Sequence, residues 1–255
     1  MVPRPFVSFD GVQKRYGNGP LVLDNLDLSV REGEFVSLIG PSGCGKSTIL
    51  KLLAGLSPVS SGELIIDGMK PVHAREEMFY VFQEANLLPW SRVLENVELP
   101  LRIRGDARNR RRERAREMVE LVGLKEAGRQ FPWQLSGGMR MRVSIARALS
   151  VKPRILLLDE PFGALDEMTR DRLNEDLLEI RERDPFTAFF VTHSVAEAVF
   201  LSTRIVVLSA NPGRIADVIE VPFPFPRKGD LRESPEYLEV FAGATHALRD
   251  VIKES

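Results

Sequence analysis

Two rhythms of apolar and polar residues run through this chain. In LDNLDLSVREGE, Leu26, Leu28 and Val30 alternate with polar neighbours, the period of two expected of a strand buried on one face. EFVSLIG (34–40) is instead a continuous apolar run, as in a strand covered on both faces. A glycine-rich turn follows, then STILKLLAG, a short helical pattern closed by Gly55. GELIIDG (62–68) reads as a further strand between glycines.

The middle of the chain is helical in pattern and heavily charged. Asp106 is the expected cap of a helix through RNRRRERAREMVELV, stopped at Gly123, with Ala115, Met118, Val119 and Val122 on one face. MRMRVSIARAL (139–149) follows LSGG as a second helical pattern. The last third returns to alternation: ILLLD (155–159), TAFFVTH (187–193) and RIVVLS (204–209) read as buried strands. Between the first two lies a helix capped by Asp166, with Leu173, Leu177 and Ile180 on one face. Ser194 and Glu197 fit an S-x-x-E capping box opening the helix SVAEAVFLS. PFPFPRKG (222–229) is a proline-punctuated connector. Beyond it Ser234 and Pro235 fit N-cap and N1 of a final helix with Leu238, Phe241, Ala244, Leu248 and Val251 on one face. The alternation predicts a largely parallel sheet, interrupted by a helical insertion at roughly 85–150.

Composition narrows the class. At 255 residues and 44% hydrophobic, the chain can bury a sizeable core. Lys plus Arg number 35 against 36 Asp plus Glu, a net charge of -1, which argues against a protein held mainly by phosphate backbones. A single cysteine, Cys44, excludes an internal disulfide or a multi-cysteine zinc site and suits a reducing compartment. No apolar run approaches the roughly 20 residues of a membrane span, and MVPRPFVSFDG lacks a signal-peptide stretch, so an intracellular protein is expected.

GPSGCGKST (40–48) matches the phosphate-loop pattern G-x-x-x-x-G-K-[ST] between a predicted strand and a predicted helix. Gly40, Pro41, Ser42, Gly43, Cys44 and Gly45 would curl the backbone so that successive N–H groups face an anion, at the positive end of the following helix. Lys46 can reach the β- and γ-phosphates and Ser47, followed by Thr48, can ligate Mg²⁺. ILLLDEP (155–161) ends a strand with two carboxylates, suiting Asp159 to a Mg²⁺ shell and Glu160 to activating a water. In LSGGM (135–139), Ser136 and the N–H groups of Gly137 and Gly138 make a second anion-binding helix start. Two such elements beside one complete nucleotide site suggest that the second serves a neighbouring molecule. Taken alone, LSGGM reads more readily as a simple N-cap with a glycine turn.

The order of these elements, over roughly residues 5–215, resembles the ATPase subunits of ATP-binding cassette (ABC) transporters. The motifs carrying it are GPSGCGKST, Gln83 in VFQEANLLPW, LSGGM, ILLLDE, GALD (163–166) and His193 in VTHS. The implied fold is α/β: a P-loop NTPase core with an N-terminal antiparallel β part and a helical subdomain at about 85–150. Residues 1–220 would form the ATPase domain, and 221–255 the connector and C-terminal amphipathic helix, which packs against the domain itself or a dimer partner. The resemblance assigns Tyr16 to adenine, Gln83 to Mg²⁺ and the membrane subunit, Asp166 to the loop between protomers, and His193 to the γ-phosphate. Ser136, Gly137 and Gly138 would close over ATP held by the opposite protomer. Without that context, KRYGNG around Tyr16 is equally an ordinary turn, and His193 at the end of an apolar strand reads more readily as a structural histidine. Three positions depart from the family pattern: Met139 for glutamine, Gly163 for serine, and Ser194 for aspartate after the histidine. None removes a phosphate-facing group.

RNRRRERAR (108–116) reads as the solvent face of an amphipathic helix rather than a nucleic-acid patch, lacking interleaved aromatics. NLLPW (86–90) reads as core or as a docking loop whose Trp90 anchors a membrane subunit. Cys44 is expected to be a small loop residue, not a nucleophile. The phrases EANLLPW, LENVELPLRIRG, EPFGALDEMTRD and SANPGRI resemble the nitrate/sulfonate/taurine importer branch. That branch implies two copies of this ATPase, a permease pair, an extracytoplasmic binding protein and a place on the cytoplasmic face of the membrane. A lipid-trafficking or vitamin-precursor transporter, or a soluble ABC ATPase acting on nucleic acid, stays open as an alternative. The last usually carries a long coiled-coil insertion or a second cassette, and neither is visible here.

Overall fold

The structure, a computed structural model, describes residues 4–163 and 165–253. Ala164 of GALD and the outermost residues of the two expected segments, 1–3 and 254–255, lie outside the described residues.

Two sheets organise these residues. Strands β1 (Val7–Arg15), β2 (Leu21–Val30) and β4 (Ser61–Ile66) form an antiparallel sheet in the order β2-β1-β4. Leu26, Leu28 and Val30 are buried on β2, as their alternation requires, and Leu23 is buried with them. The larger sheet has the order β5-β6-β7-β3-β8-β9, from β3 (Phe35–Ile39), β5 (Met78–Val81), β6 (Ile155–Asp159), β7 (Thr187–Val191), β8 (Arg204–Leu208) and β9 (Ile215–Glu220). The first five run parallel; β9 returns antiparallel along β8. The hydropathy pattern does not reveal that edge strand, because ADVIE carries too much polarity for a core strand and is partnered on one side only.

The period of two divides the central strands between two cores. Val36, Leu38, Leu157, Phe189, Val191 and Val206 face α1 (Lys46–Leu53) and the antiparallel sheet. Phe35, Ile39, Leu156, Leu158, Phe190 and Val207 face the opposite core with α4 (Gly137–Ser150), α5 (Glu167–Arg183), α6 (Val195–Leu201) and α7 (Pro235–Lys253). Each such fully buried side chain stabilises the fold by roughly 1.5–3 kcal/mol relative to exposure. That explains the unbroken apolar runs.

Between β5 and β6 the chain forms α2 (Val93–Ile103), α3 (Arg108–Leu121) and α4, which pack on one another through Val97, Ala115, Met118, Val119 and Val143. Asp106 does not cap α3. Its N–H bonds Leu101 O and that of Gly105 bonds Arg102 O, so Asp106 closes α2, and Ala107 takes the N-cap position. A chain arriving in that helix-ending motif spends Asp106 on the previous helix. The final helix begins as expected, with Ser234 Oγ accepting from Tyr237 N at 3.2 Å. Of its expected apolar face, Ala244 and Val251 are buried and Phe241 and Leu248 pack against the core; Leu238 is 52% exposed, and Tyr237 is buried in its stead. The Tyr237 hydroxyl donates to Ala196 O at 2.9 Å, tying α7 to α6.

Candidate functional site

Parallel pairing brings the C-terminal ends of β3, β5, β6 and β7 to one edge of the sheet, where open α/β sheets place ligands. The phosphate loop leaves β3 there and runs directly into α1. Gly40 has φ 156°, and a Cβ on it would lie 2.5 Å from Leu208 O. Gly45, the N-cap of α1, has φ 97°, and a Cβ there would overlap Leu23. Both positions exclude side chains, so the curl of the loop depends on glycine. Lys46 is buried, and its Nζ donates to Gly40 O at 2.9 Å and Pro41 O at 3.0 Å, which holds the ammonium inside the loop. Ser42 and Gly43 are exposed at its rim, Thr48 is half-buried on the first turn of α1, and Cys44 is fully buried. Burial pushes the Cys44 thiol pKa up, against the lowering influence of Lys46.

Ser47 and Asp159 meet across the sheet edge, the serine hydroxyl donating to Oδ1 at 3.0 Å. Next along the chain, Glu160 has φ 48°, and its N–H bonds Val191 O at 3.0 Å. A left-handed conformation at a non-glycine residue is strained, and here it turns the carboxylate toward two partners. His193 Nε2 lies 2.6 Å from Oε1, and Gln83 Nε2 lies 3.4 Å from Oε2. Gln83, Asp159, Glu160, His193 and Ser47 are thus one cluster beside the phosphate loop.

Oxygen donors from Ser47, Asp159 and Gln83 suit Mg²⁺, which keeps water and phosphate oxygens in most of its octahedron. Among the described residues no group of three or more His, Cys, Asp and Glu is placed to hold a metal.

The remaining predicted residues make contacts of their own. Ser136 caps α4, its hydroxyl accepting from Met139 N at 3.2 Å, and Ser136 and Gly137 are exposed. Asp166 caps α5 by accepting from Thr169 N at 3.0 Å; that hydrogen bond lowers its pKa. Tyr16 is an exposed turn residue with Lys14 Nζ 4.6 Å from its ring centroid. Ser194 accepts from Glu197 N, but only half of the expected capping box forms. The Glu197 carboxylate turns instead to the Thr192 hydroxyl, which also accepts from Ser194 N. Trp90 is 74% exposed, not core. On α3, Arg111 pairs with Glu98, and Arg114 with Glu117 and Asp184.

Two contributors escape sequence reading. Gly213, between β8 and β9, abuts the phosphate loop so closely that a Cβ would lie 2.0 Å from Cys44 O. Tyr80 donates its hydroxyl to Asp159 Oδ2 at 2.7 Å. Neither belongs to a recognisable string; the one available signal was a glycine flanked by proline in SANPGRI. A groove of about 510 Å³, lined by Leu52, Pro58, Val59, Leu64 and Val72, lies at the far end of α1. It holds no cluster of reactive groups, and phosphate recognition here is built from an open loop of backbone amides instead.

The chain is similar to known proteins in sequence and in fold. The family model described as ABC transporter matches residues 23–163. A taurine import ATP-binding protein of Sinorhizobium fredii is 46% identical over 244 residues, covering 93% of this chain and 91% of that protein. An aliphatic sulfonates import ATP-binding protein of Bacillus cereus is 46% identical over 224 residues, covering 87% and 88% respectively. A solved dimeric ATP-binding cassette in a post-hydrolysis state, bound to ADP and Pi, matches with TM-score 0.76 at 36% identity, over 86% of this chain and 100% of that one.

Proposed function

The chain belongs to the ABC transporter ATPase family and is an ATP-binding, ATP-hydrolysing protein, and we propose that it powers an importer of taurine or other aliphatic sulfonates, with nitrate as the second cargo class. The observation that carries the catalytic part is the engagement of both Glu160 oxygens, by His193 and Gln83, at the mouth of the phosphate loop.

In this reading the loop amides of residues 40–48 cradle the phosphates, and Lys46 exchanges loop carbonyls for β- and γ-phosphate oxygens. Ser47, Asp159 and Gln83 hold Mg²⁺, which when bound neutralises charge on those phosphates. Glu160 orients and deprotonates the attacking water; His193 steadies Glu160 and touches the γ-phosphate. Tyr16 stacks its exposed ring on adenine. Ser136, Gly137 and Gly138 of a second copy close over the nucleotide, and Asp166 lies in the seam, so ATP joins two copies head to tail.

Trp90 and the groove of about 420 Å³ lined by Gln83, Leu87, Pro132, Gly137, Arg140 and Met141 support docking of a permease segment beside the glutamine that reaches Glu160. No helix among the described residues is long and apolar enough to cross a membrane, so its place on the cytoplasmic face comes through that permease. The cargo-binding protein stands on the other side and meets this chain indirectly. The names of the taurine and sulfonate relatives support the cargo class.

The test is a pull-down of tagged Glu160→Gln protein with Mg-ATP from detergent-solubilised native membranes. A multi-span permease encoded with a binding protein is expected, and calorimetry on that binding protein with taurine, alkanesulfonates and nitrate identifies the cargo. Recovery of nucleic acid or a soluble assembly alone would overturn the importer reading and leave the ATPase intact.

A further inference from the structure

Tyr80 stands on β5 opposite Leu157 of β6 in the parallel register. Residues two apart on a strand share a face, so Asp159 lies on the same side of the sheet, one pleat further along. The tyrosine ring spans that step: its hydroxyl lies 2.7 Å from Asp159 Oδ2, while Ser47 Oγ lies 3.0 Å from Oδ1. The carboxylate is therefore held at both oxygens by groups from two different elements. The phenol hydroxyl is the donor in this pair, because an ionised carboxylate only accepts. Phe82 stacks on the Tyr80 ring with centroids 4.2 Å apart and planes 27° from parallel, which restrains the ring.

The geometry points to Tyr80 as a positioning residue for the metal carboxylate: its hydroxyl holds Oδ2, stops Asp159 turning about Cβ–Cγ, and keeps Oδ1 directed at Ser47 and the cation. This rests on the reading of Asp159 as the metal carboxylate. Groups that orient a metal ligand typically govern affinity by about 10–100-fold when removed. Tyr80 is not a catalytic residue in this assignment; it acts through Asp159.

Tyr80→Phe removes the hydroxyl and retains the ring with its stack on Phe82. The probe is Mn²⁺, titrated by electron paramagnetic resonance into ADP-loaded protein, so that no turnover is involved. The expected result is a Mn²⁺ Kd raised about 10-fold, with ADP affinity in EDTA and the thermal midpoint close to wild type. Asp159→Asn serves as the reference and should weaken Mn²⁺ at least as much. Wild-type Mn²⁺ affinity in Tyr80→Phe, with loss in Asp159→Asn, overturns the role of Tyr80 alone. Unchanged affinity in both overturns the metal assignment of Asp159 and the inference with it. Weakened metal-free ADP binding in Tyr80→Phe would make the residue a general support of the loop, which also overturns it. Tyr80→Leu removes ring and hydroxyl together and should weaken Mn²⁺ no further than Tyr80→Phe; a larger loss would assign the effect to packing.

Discussion

The imidazole Nε2 of His193 lies 2.6 Å from Oε1 of Glu160, although a strand, a helix and two turns separate them in sequence. The contact follows from β6 and β7 being parallel neighbours with Asp159 opposite Val191. Each residue leaves its strand just past that last pair, and the left-handed turn at Glu160 swings the carboxylate toward the histidine.

Replacing Glu160 by Gln keeps the side-chain shape and removes the proton acceptor. Steady-state phosphate release should fall about 10²–10⁴-fold, the range for loss of a positioned base, while ATP binding by equilibrium dialysis is retained. Turnover near wild type would strip Glu160 of this role.

His193→Ala should lower turnover by about 10-fold or more, since the carboxylate loses its 2.6 Å partner. Groups that act as a unit are not additive. The double variant with Glu160→Gln should therefore be scarcely slower than Glu160→Gln alone. Two independent, multiplying losses would show that the residues work separately.

Cys44 should be chemically silent in the folded protein. The thiolate is the nucleophile, and burial raises the thiol pKa, so the thiolate stays scarce at mildly alkaline pH. Iodoacetamide at about pH 8, below the ordinary thiol value near 8.5, should label the native protein slowly and the urea-unfolded chain to one equivalent. Rapid native labelling would mean that the loop opens readily.

Glu197 gives a pH signature. Its carboxyl is buried and its pKa raised by that burial, against the lowering influence of Thr192 and Arg170. The folded state therefore binds its proton more tightly than the unfolded chain. The stabilisation from that proton is complete below the unfolded value of about 4.3 and is lost as pH rises through the raised folded value. Glu197→Gln preserves an acceptor for Thr192 without the charge. Its thermal midpoint should gain on wild type as pH rises from about 4 to 8; a constant difference would contradict the raised carboxyl.

Arg227, in the proline-punctuated connector, donates to Val199 O, Phe200 O and Ser202 O at the end of α6 and is 5% exposed. Burial pushes its pKa down to about 10, so it remains cationic at neutral pH. Arg227→Met leaves those carbonyls unpaired and should cost about 2–4 kcal/mol, read from urea unfolding. A cost below about 0.5 kcal/mol would mean that water replaces the guanidinium.

Local signals translated directly into structure where their partners are nearby in the chain. Gly55 and Gly123 end their helices with φ 63° and 70°, and Asp166 and Ser234 cap theirs. All these motifs close hydrogen bonds within about four residues. Asp106 misled because two helix ends compete for one short segment, and composition does not say which one takes it. Glu197 misled because its competing partner, Thr192, lies in the preceding turn.

By itself the sequence determined where phosphate can be bound and which residue types stand ready for chemistry, because the loop curl, the lysine and the strand-end carboxylates are properties of short contiguous segments. Only the tertiary structure decided that Gln83, Glu160 and His193 meet, that Tyr80 grips Asp159, and that Gly213 must be bare to pass Cys44. Those relations depend on strand order and register between distant segments. Shifting one strand by a single residue would turn each of its side chains to the other face without altering any local pattern.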